Sequence, residues 1–156
     1  MGSARQAEEI MTKRKAEAAR KAPSLILIVD DESAVVALLR RILSTEDAEI
    51  LEAQSGAEAL EIARRTRLDL VILDVRLPDV SGVEVLRRVR KIDGMLPVIM
   101  VTSYGSAETV RASMRLGAFD YFTKPFDSQY VRRVAREALS TRACRLVPSE
   151  TSRGPA

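Results

Sequence analysis

At 156 residues, 46% of them hydrophobic and 30% charged, the chain is long enough for one soluble domain with a full core, and short for two. It has no histidine and a single cysteine, Cys144, which excludes the usual zinc sites, histidine-paired nucleophiles, an internal disulfide and a phosphohistidine of its own. The net charge of +3 sits in the ends: positions 1–24 hold six basic and three acidic residues, and 141–156 hold three and one, so 25–140 is slightly acidic and ill suited to binding nucleic acid itself.

Positions 1–24 form a basic, Ala-rich extension, and its stretch of good helix formers from Ala4 to Ala22 has Ile10 and Met11 as its only sizeable apolar residues. With no face to bury, it reads as a solvated helix or a disordered segment, closed by Pro23. It is unlike a signal peptide, and Gln6 stands where a myristoylation signal needs Ser or Thr. No apolar run approaches the roughly 20 residues of a membrane helix, and the lone cysteine fits a reducing compartment. A cytoplasmic protein is expected.

From Leu25 the chain alternates between short apolar runs and helical spacing. Strands are predicted over 25–29, 49–53, 68–73, 98–101 and 119–122. Helices follow each: one carrying Val35, Leu38, Leu39, Ile42 and Leu43 with Ser33 as N-cap; one from Ser55 and Gly56 to about Arg67; one marked by Val85, Leu86 and Val89; one over 106–116, stopped by Gly117; and a last one after Asp127 or Ser128. Pro78 and Gly82 break the loop 76–82. The region 141–156, with Pro148, Ser149, Ser152, Gly154 and Pro155, reads as a disordered tail. The ordered domain is thus placed at 25–140. Five β-α units imply an α/β fold, a doubly wound three-layer sandwich, and the flavodoxin-like strand order 2-1-3-4-5 puts its switch point between strands one and three.

Ligand sites in such sheets form beyond the strand C-termini. Asp30 and Asp31 follow the first run, Asp74 the third and Thr102 the fourth, while Lys124 lies just past the fifth. Each alone reads as an ordinary cap, strand-end or surface residue. Together they bring three carboxylates, a hydroxyl and an ammonium to one edge. Crowded carboxylates raise one another's pKa unless a cation relieves them, and an all-oxygen set suits Mg²⁺ better than zinc. A carboxylate can itself attack phosphorus, with Lys124 and Thr102 available to phosphoryl oxygens.

Four stretches carry a resemblance: Ile-Val-Asp-Asp-Glu at 28–32, Val-Ile-Leu-Asp-Val-Arg-Leu-Pro-Asp-Val-Ser-Gly at 71–82, Pro-Val-Ile-Met-Val-Thr-Ser at 97–103, and Gly-Ala-Phe-Asp-Tyr-Phe-Thr-Lys-Pro-Phe at 117–126. In this order the chain resembles the receiver domain of bacterial two-component response regulators, over about Ser24 to Leu139. The loop and the stretch 124–127 look most like nitrogen-regulation-type receivers, which normally continue into an ATPase and a DNA-binding domain. The resemblance implies that Asp74 is the phosphoacceptor, with Thr102 and Lys124 contacting the phosphoryl group. Asp30, Asp31, Asp74 and the Arg76 backbone carbonyl would bind Mg²⁺, and Tyr121 would be the aromatic switch residue. It further implies a cis Lys124-Pro125 bond, room for the phosphoryl group beside the small Ser103, and tuning of phosphoryl lifetime by Arg76 and Tyr104. The donor would be a sensor histidine kinase or a phosphotransfer protein. Activation would favour a homodimer through the 106–116 helix, the fifth strand and the last helix.

The expected protein is therefore a phosphorelay switch, not an enzyme, with no membrane partner and no nucleic acid bound by the receiver itself. A receiver-like interaction module that works without phosphorylation is the alternative. A phosphatase with an aspartyl nucleophile would want an acid at Arg76, and no strand is followed by the glycine pattern of a dinucleotide site.

Overall fold

The computed structural model describes residues 3–103 and 105–146, the side chains of 13–21 and 145–146 excepted. Its elements run α1 (Ser3–Lys21), β1 (Ser24–Val29), α2 (Ser33–Leu43), β2 (Ala48–Ala53), α3 (Gly56–Arg65), β3 (Leu70–Asp74), α4 (Gly82–Ile92), β4 (Val98–Thr102), α5 (Ala107–Arg115), β5 (Asp120–Thr123) and α6 (Ser128–Leu146). The five strands are parallel in the order β2-β1-β3-β4-β5, the flavodoxin-like topology. Among the described residues, no helix is long and apolar enough to cross a membrane.

The central strands β1, β3 and β4 are apolar along nearly their whole length because both faces of the sheet are covered there, whereas the edge strands β2 and β5 carry Glu49, Glu52 and Asp120. Side chains alternate between the two faces with the two-residue period of a strand. Leu27, Val29, Val71, Leu73, Val98 and Met100 pack on one face with Leu60 of α3 and Val85, Leu86 and Val89 of α4. Ile26, Ile28, Leu70, Ile72, Ile99 and Val101 pack on the other with Leu39, Ile42 and Leu43 of α2 and Val131, Val134 and Ala135 of α6. Burying each such side chain stabilises the fold by roughly 1.5–3 kcal/mol, so a one-residue slip in register would expose a whole face.

That register aligns the strand ends. Val29 pairs with Leu73, Asp74 with Val101, and Thr102 with Thr123. Past the strands, the Asp30 N–H donates to the Ala53 carbonyl at 3.0 Å and the Lys124 N–H to the Thr102 carbonyl at 2.8 Å.

Three local features refine the sequence reading. The N-cap of α2 is Glu32, with Ser33 the first helical residue, because the Asp30 carboxylate takes the Glu32 N–H at 2.9 Å and turns the chain earlier. Asp127 opens α6, its carboxylate accepting from the Gln129 N–H at 2.8 Å. Gly117 ends α5 in the left-handed region (φ 81°), and the bonds from Gly117 N–H to the Met114 carbonyl and from Ala118 N–H to the Ser113 carbonyl complete a Schellman motif.

The domain does not end at 140: α6 continues to Leu146, so 141–146 is helical where a disordered tail is predicted. The cause is Arg142, only 3% exposed, whose guanidinium donates to both Asp93 carboxylate oxygens at 3.2 and 2.5 Å and to the Leu68 carbonyl at 3.1 Å. The rest of the predicted tail, 147–156, and Tyr104 lie outside the described residues. The basic extension is helical over Ser3–Lys21, and its side chains from Ser3 to Thr12 are exposed.

Candidate functional site

The C-terminal edge of the sheet gathers the predicted residues. Asp30 and Asp74 are buried, at 2% and 4% exposure, and Thr102 is fully so, while Asp31 and Glu32 are exposed. The carboxylates of Asp30, Asp31, Glu32 and Asp74 each place an oxygen within 4.8 Å of the others. Asp31, Glu32, Asp74, Arg76 and Ser103 line an open cavity of about 320 Å³ above them.

Lys124 reaches into this cluster from beyond β5. Its Nζ donates to Asp30 Oδ2 at 2.9 Å and to Asp74 Oδ2 at 3.3 Å, and lies 3.5 Å from Glu32 Oε1. Burial works against its charge, yet Asp30 and Asp74 outweigh burial and hold its pKa above the ordinary lysine value. Four carboxylates facing one ammonium leave the site short of positive charge. Asp74 registers that shortage: burial, and then the Asp30 charge, raise its pKa against the Arg76 N–H and Lys124, which pull it down.

The backbone after Asp74 is folded tightly back. The Arg76 N–H donates to Asp74 Oδ1 at 3.1 Å, Arg76 and Ser81 form an antiparallel bridge, and the Gly82 N–H donates to the Val75 carbonyl at 2.7 Å. Gly82 is obligatory here, since a Cβ would stand 2.1 Å from the Asp74 carbonyl oxygen. The far side of the loop is anchored by Asp79, whose carboxylate accepts from the Gly56 and Ala57 N–H groups at the start of α3, both at 2.9 Å. Those two bonds hold Asp79 below the usual carboxylate range.

Tyr121 is paired with Met100 in the sheet and packs against the core face of α3 and α4. Its hydroxyl is buried. Among the described residues no hydrogen bond of ordinary geometry reaches that hydroxyl, although Thr102 is close enough to lower its pKa against burial, which raises it. The Lys124-Pro125 bond is cis.

The structure thus brings together Asp30, Asp31, Asp74, Arg76 and Lys124, with Thr102 at the end of the neighbouring strand. Sequence reasoning missed Glu32 and the Asp79 anchor. Glu32 follows the acid pair directly, which is a usable signal. Asp79 finds its partner more than twenty residues away, which no local pattern announces. Chemically, an all-carboxylate cavity of this kind fits a hard divalent cation, and nothing in its donor set favours a softer metal.

Residues 26–136 match the model of the response regulator receiver domain. The chain is 38% identical over 114 residues to sporulation initiation phosphotransferase F of Bacillus subtilis, an alignment covering 73% of this chain and 92% of that one. The receiver domain of NtrX from Brucella abortus superimposes with a TM-score of 0.70 at 36% identity, covering 74% of this chain and 98% of that domain. A CheY-like receiver from Methanospirillum hungatei gives 0.76 at 31% identity, covering 80% and 99%. The chain also matches 33% of positions over 121 residues of the Escherichia coli regulator GlrR, but spans only 27% of that protein.

Proposed function

The chain belongs to the response regulator receiver family, and from that premise we propose that it takes a phosphoryl group on Asp74 from a partner's phosphohistidine and signals by changing conformation. Receivers are signalling modules rather than turnover enzymes. The observation that carries the reading is the surplus of carboxylates over cations at the strand ends, with Asp74 at its centre.

The donor is a sensor histidine kinase or a phosphotransfer protein, since this chain has no histidine. One Asp74 oxygen attacks phosphorus, the phosphorus–nitrogen bond breaks, and the imidazole leaves with the electron pair and takes up a proton. Asp30, Asp31, Asp74 and the Arg76 carbonyl would hold Mg²⁺, with Glu32 on the same cavity. Bound there, the ion supplies positive charge for the phosphoryl oxygens. Lys124, now spread over Asp30 and Asp74, shifts a hydrogen bond to the phosphoryl group, and the Thr102 hydroxyl turns toward another oxygen. Both residues act by holding charge where it develops.

Thr102 and Tyr121 then carry the event to α5, β5 and α6, the face through which activation favours a homodimer. The phosphoryl group biases a pre-existing equilibrium by its different contacts in the two states. The receiver binds no nucleic acid and no membrane itself; a protein or a linked domain reads the change. Arg76 flanks the acceptor and sets how long the aspartyl phosphate lasts.

The test is incubation with Mg²⁺ and acetyl phosphate. One phosphoryl group should add by mass, only with Mg²⁺, and not to Asp74→Ala. Beryllofluoride should shift amide signals around Asp74, Thr102 and Lys124. A chain that gains no mass and shows no beryllofluoride response would be an interaction module instead.

A further inference from the structure

Gly105 stands between β4 and α5, exposed, one residue before the Ser106 cap whose Oγ accepts from the Thr109 N–H at 3.1 Å. Neither of the usual reasons for a glycine applies. Its backbone is outside the left-handed region, which only Gly117 occupies among the described residues. It also caps no helix, since that task falls to Ser106.

What surrounds it gives the reason. A Cβ at 105 would stand 2.7 Å from the Tyr121 hydroxyl oxygen, 3.0 Å from Cε1 and 3.2 Å from Cζ. Carbon pairs are comfortable at about 3.5–4.0 Å and a carbon–oxygen pair only slightly closer, so all three distances are repulsive. All of them are also to one side chain, and to its far end. A Tyr ring has other staggered χ1 positions, and β5 lies at the edge of the sheet, where an outward rotamer meets water. The overlap would therefore be relieved by the ring leaving rather than by the backbone moving.

We propose that Gly105 is the positioning residue for Tyr121: the missing Cβ is the space the inward ring occupies, and the residue at 105 sets the balance between inward and outward rings. The inference rests on the reading of Tyr121 as the switch that answers Asp74. In that reading Gly105 makes the inward state accessible, and a larger residue at 105 shifts the balance away from it.

The experiment is Gly105→Ala in the full chain, followed by NMR of the Tyr121 ring with and without Mg²⁺ and beryllofluoride. In the parent chain the ring should show contacts to Thr102 and Gly105. In Gly105→Ala those contacts should fall by more than half, while beryllofluoride still shifts the amides around Asp74. A ring that keeps its Thr102 contacts in Gly105→Ala overturns the proposal. Absence of any beryllofluoride response in the parent sinks the phosphoacceptor reading instead, and the ring comparison without ligand still decides the role of Gly105. A cycle with Tyr121→Ala guards against general damage. If the Gly105→Ala substitution destabilises the chain equally with and without the ring, the two positions are uncoupled and the proposal fails.

Discussion

The two edges of the sheet use charge in opposite ways. At the N-terminal edge, Arg142 meets Asp93 and the Leu68 carbonyl, and Arg90 donates to the carbonyls of Leu96, Leu116 and Gly117, with the Leu116 bond at 2.9 Å. Cations there fill carbonyl groups left over at the ends of helices and loops, and the acid is matched. At the C-terminal edge Asp30, Asp31, Glu32 and Asp74 confront Lys124 alone among the described residues within salt-bridge reach. The Arg142 guanidinium holds Asp93 below the usual carboxylate range despite burial, whereas burial and Asp30 push Asp74 above it. A balanced cluster stabilises the fold, whereas an unbalanced one suits a site that takes up a cation, and the opposite directions of the Asp93 and Asp74 shifts accord with that difference.

The largest effect should come from unbalancing the N-terminal edge. Asp93→Ala leaves the guanidinium of Arg142, 3% exposed, with the Leu68 carbonyl and with an Nε that has no partner among the described residues. Breaking a buried pair costs roughly 3–5 kcal/mol, and because Asp93 keeps 29% of its side chain in water the expected loss is about 3 kcal/mol. Urea unfolding measures it. A loss under about 1 kcal/mol would mean that Arg142 is held by packing alone.

Next in size is the pH response without Mg²⁺, where the two acids should oppose each other. The folded pKa of Asp93 is lowered, so its stabilisation is complete above the unfolded value and disappears as pH falls through the folded one. Asp74 is raised, so its ionised form costs stability above the folded pKa, and that cost fades as acid protonates it. Asp74→Asn should therefore stabilise the metal-free chain at neutral pH, by less than Asp93→Ala destabilises it. The advantage should shrink as pH falls through the Asp74 pKa. Parallel pH profiles for Asp74→Asn and the parent would contradict the raised value.

What the sequence made legible follows the same division. β1, β3 and β4 announce themselves because strands buried on both faces must be apolar at every position, and the acids beyond them are conspicuous by contrast. Matched charge is invisible in sequence: Arg142 falls in the predicted disordered tail, and only the fold brings Asp93 to it. Asp79 and Gly105 are hidden for a related reason. A carboxylate and a glycine in loops read as turn residues, and only tertiary neighbours, the N-terminus of α3 and the Tyr121 ring, show what each does. Glu32 was masked by its position at a helix start, where an acid needs no further reason.

Asp31→Asn gives the smallest stability effect and the sharpest reading of the unbalanced edge. Asp31 is exposed, and no side-chain hydrogen bond or ion pair holds it among the described residues, so the metal-free stability should change by no more than about 0.5 kcal/mol. Its role, if it is a ligand, appears only with the ion. Even residues behind metal ligands change affinity by about 10–100-fold, so removing a ligand should cost at least tenfold. By linkage, binding stabilises in proportion to the logarithm of ion concentration over the dissociation constant. With Mg²⁺ well above that constant, a tenfold weakening removes about 1.4 kcal/mol of the stabilisation by Mg²⁺. Thermal unfolding across a Mg²⁺ series reads this directly. The Asp31→Asn curve should start with the parent's and fall below it as Mg²⁺ rises; two curves that stay together would remove Asp31 from the metal site and leave the cavity to Asp30, Glu32 and Asp74.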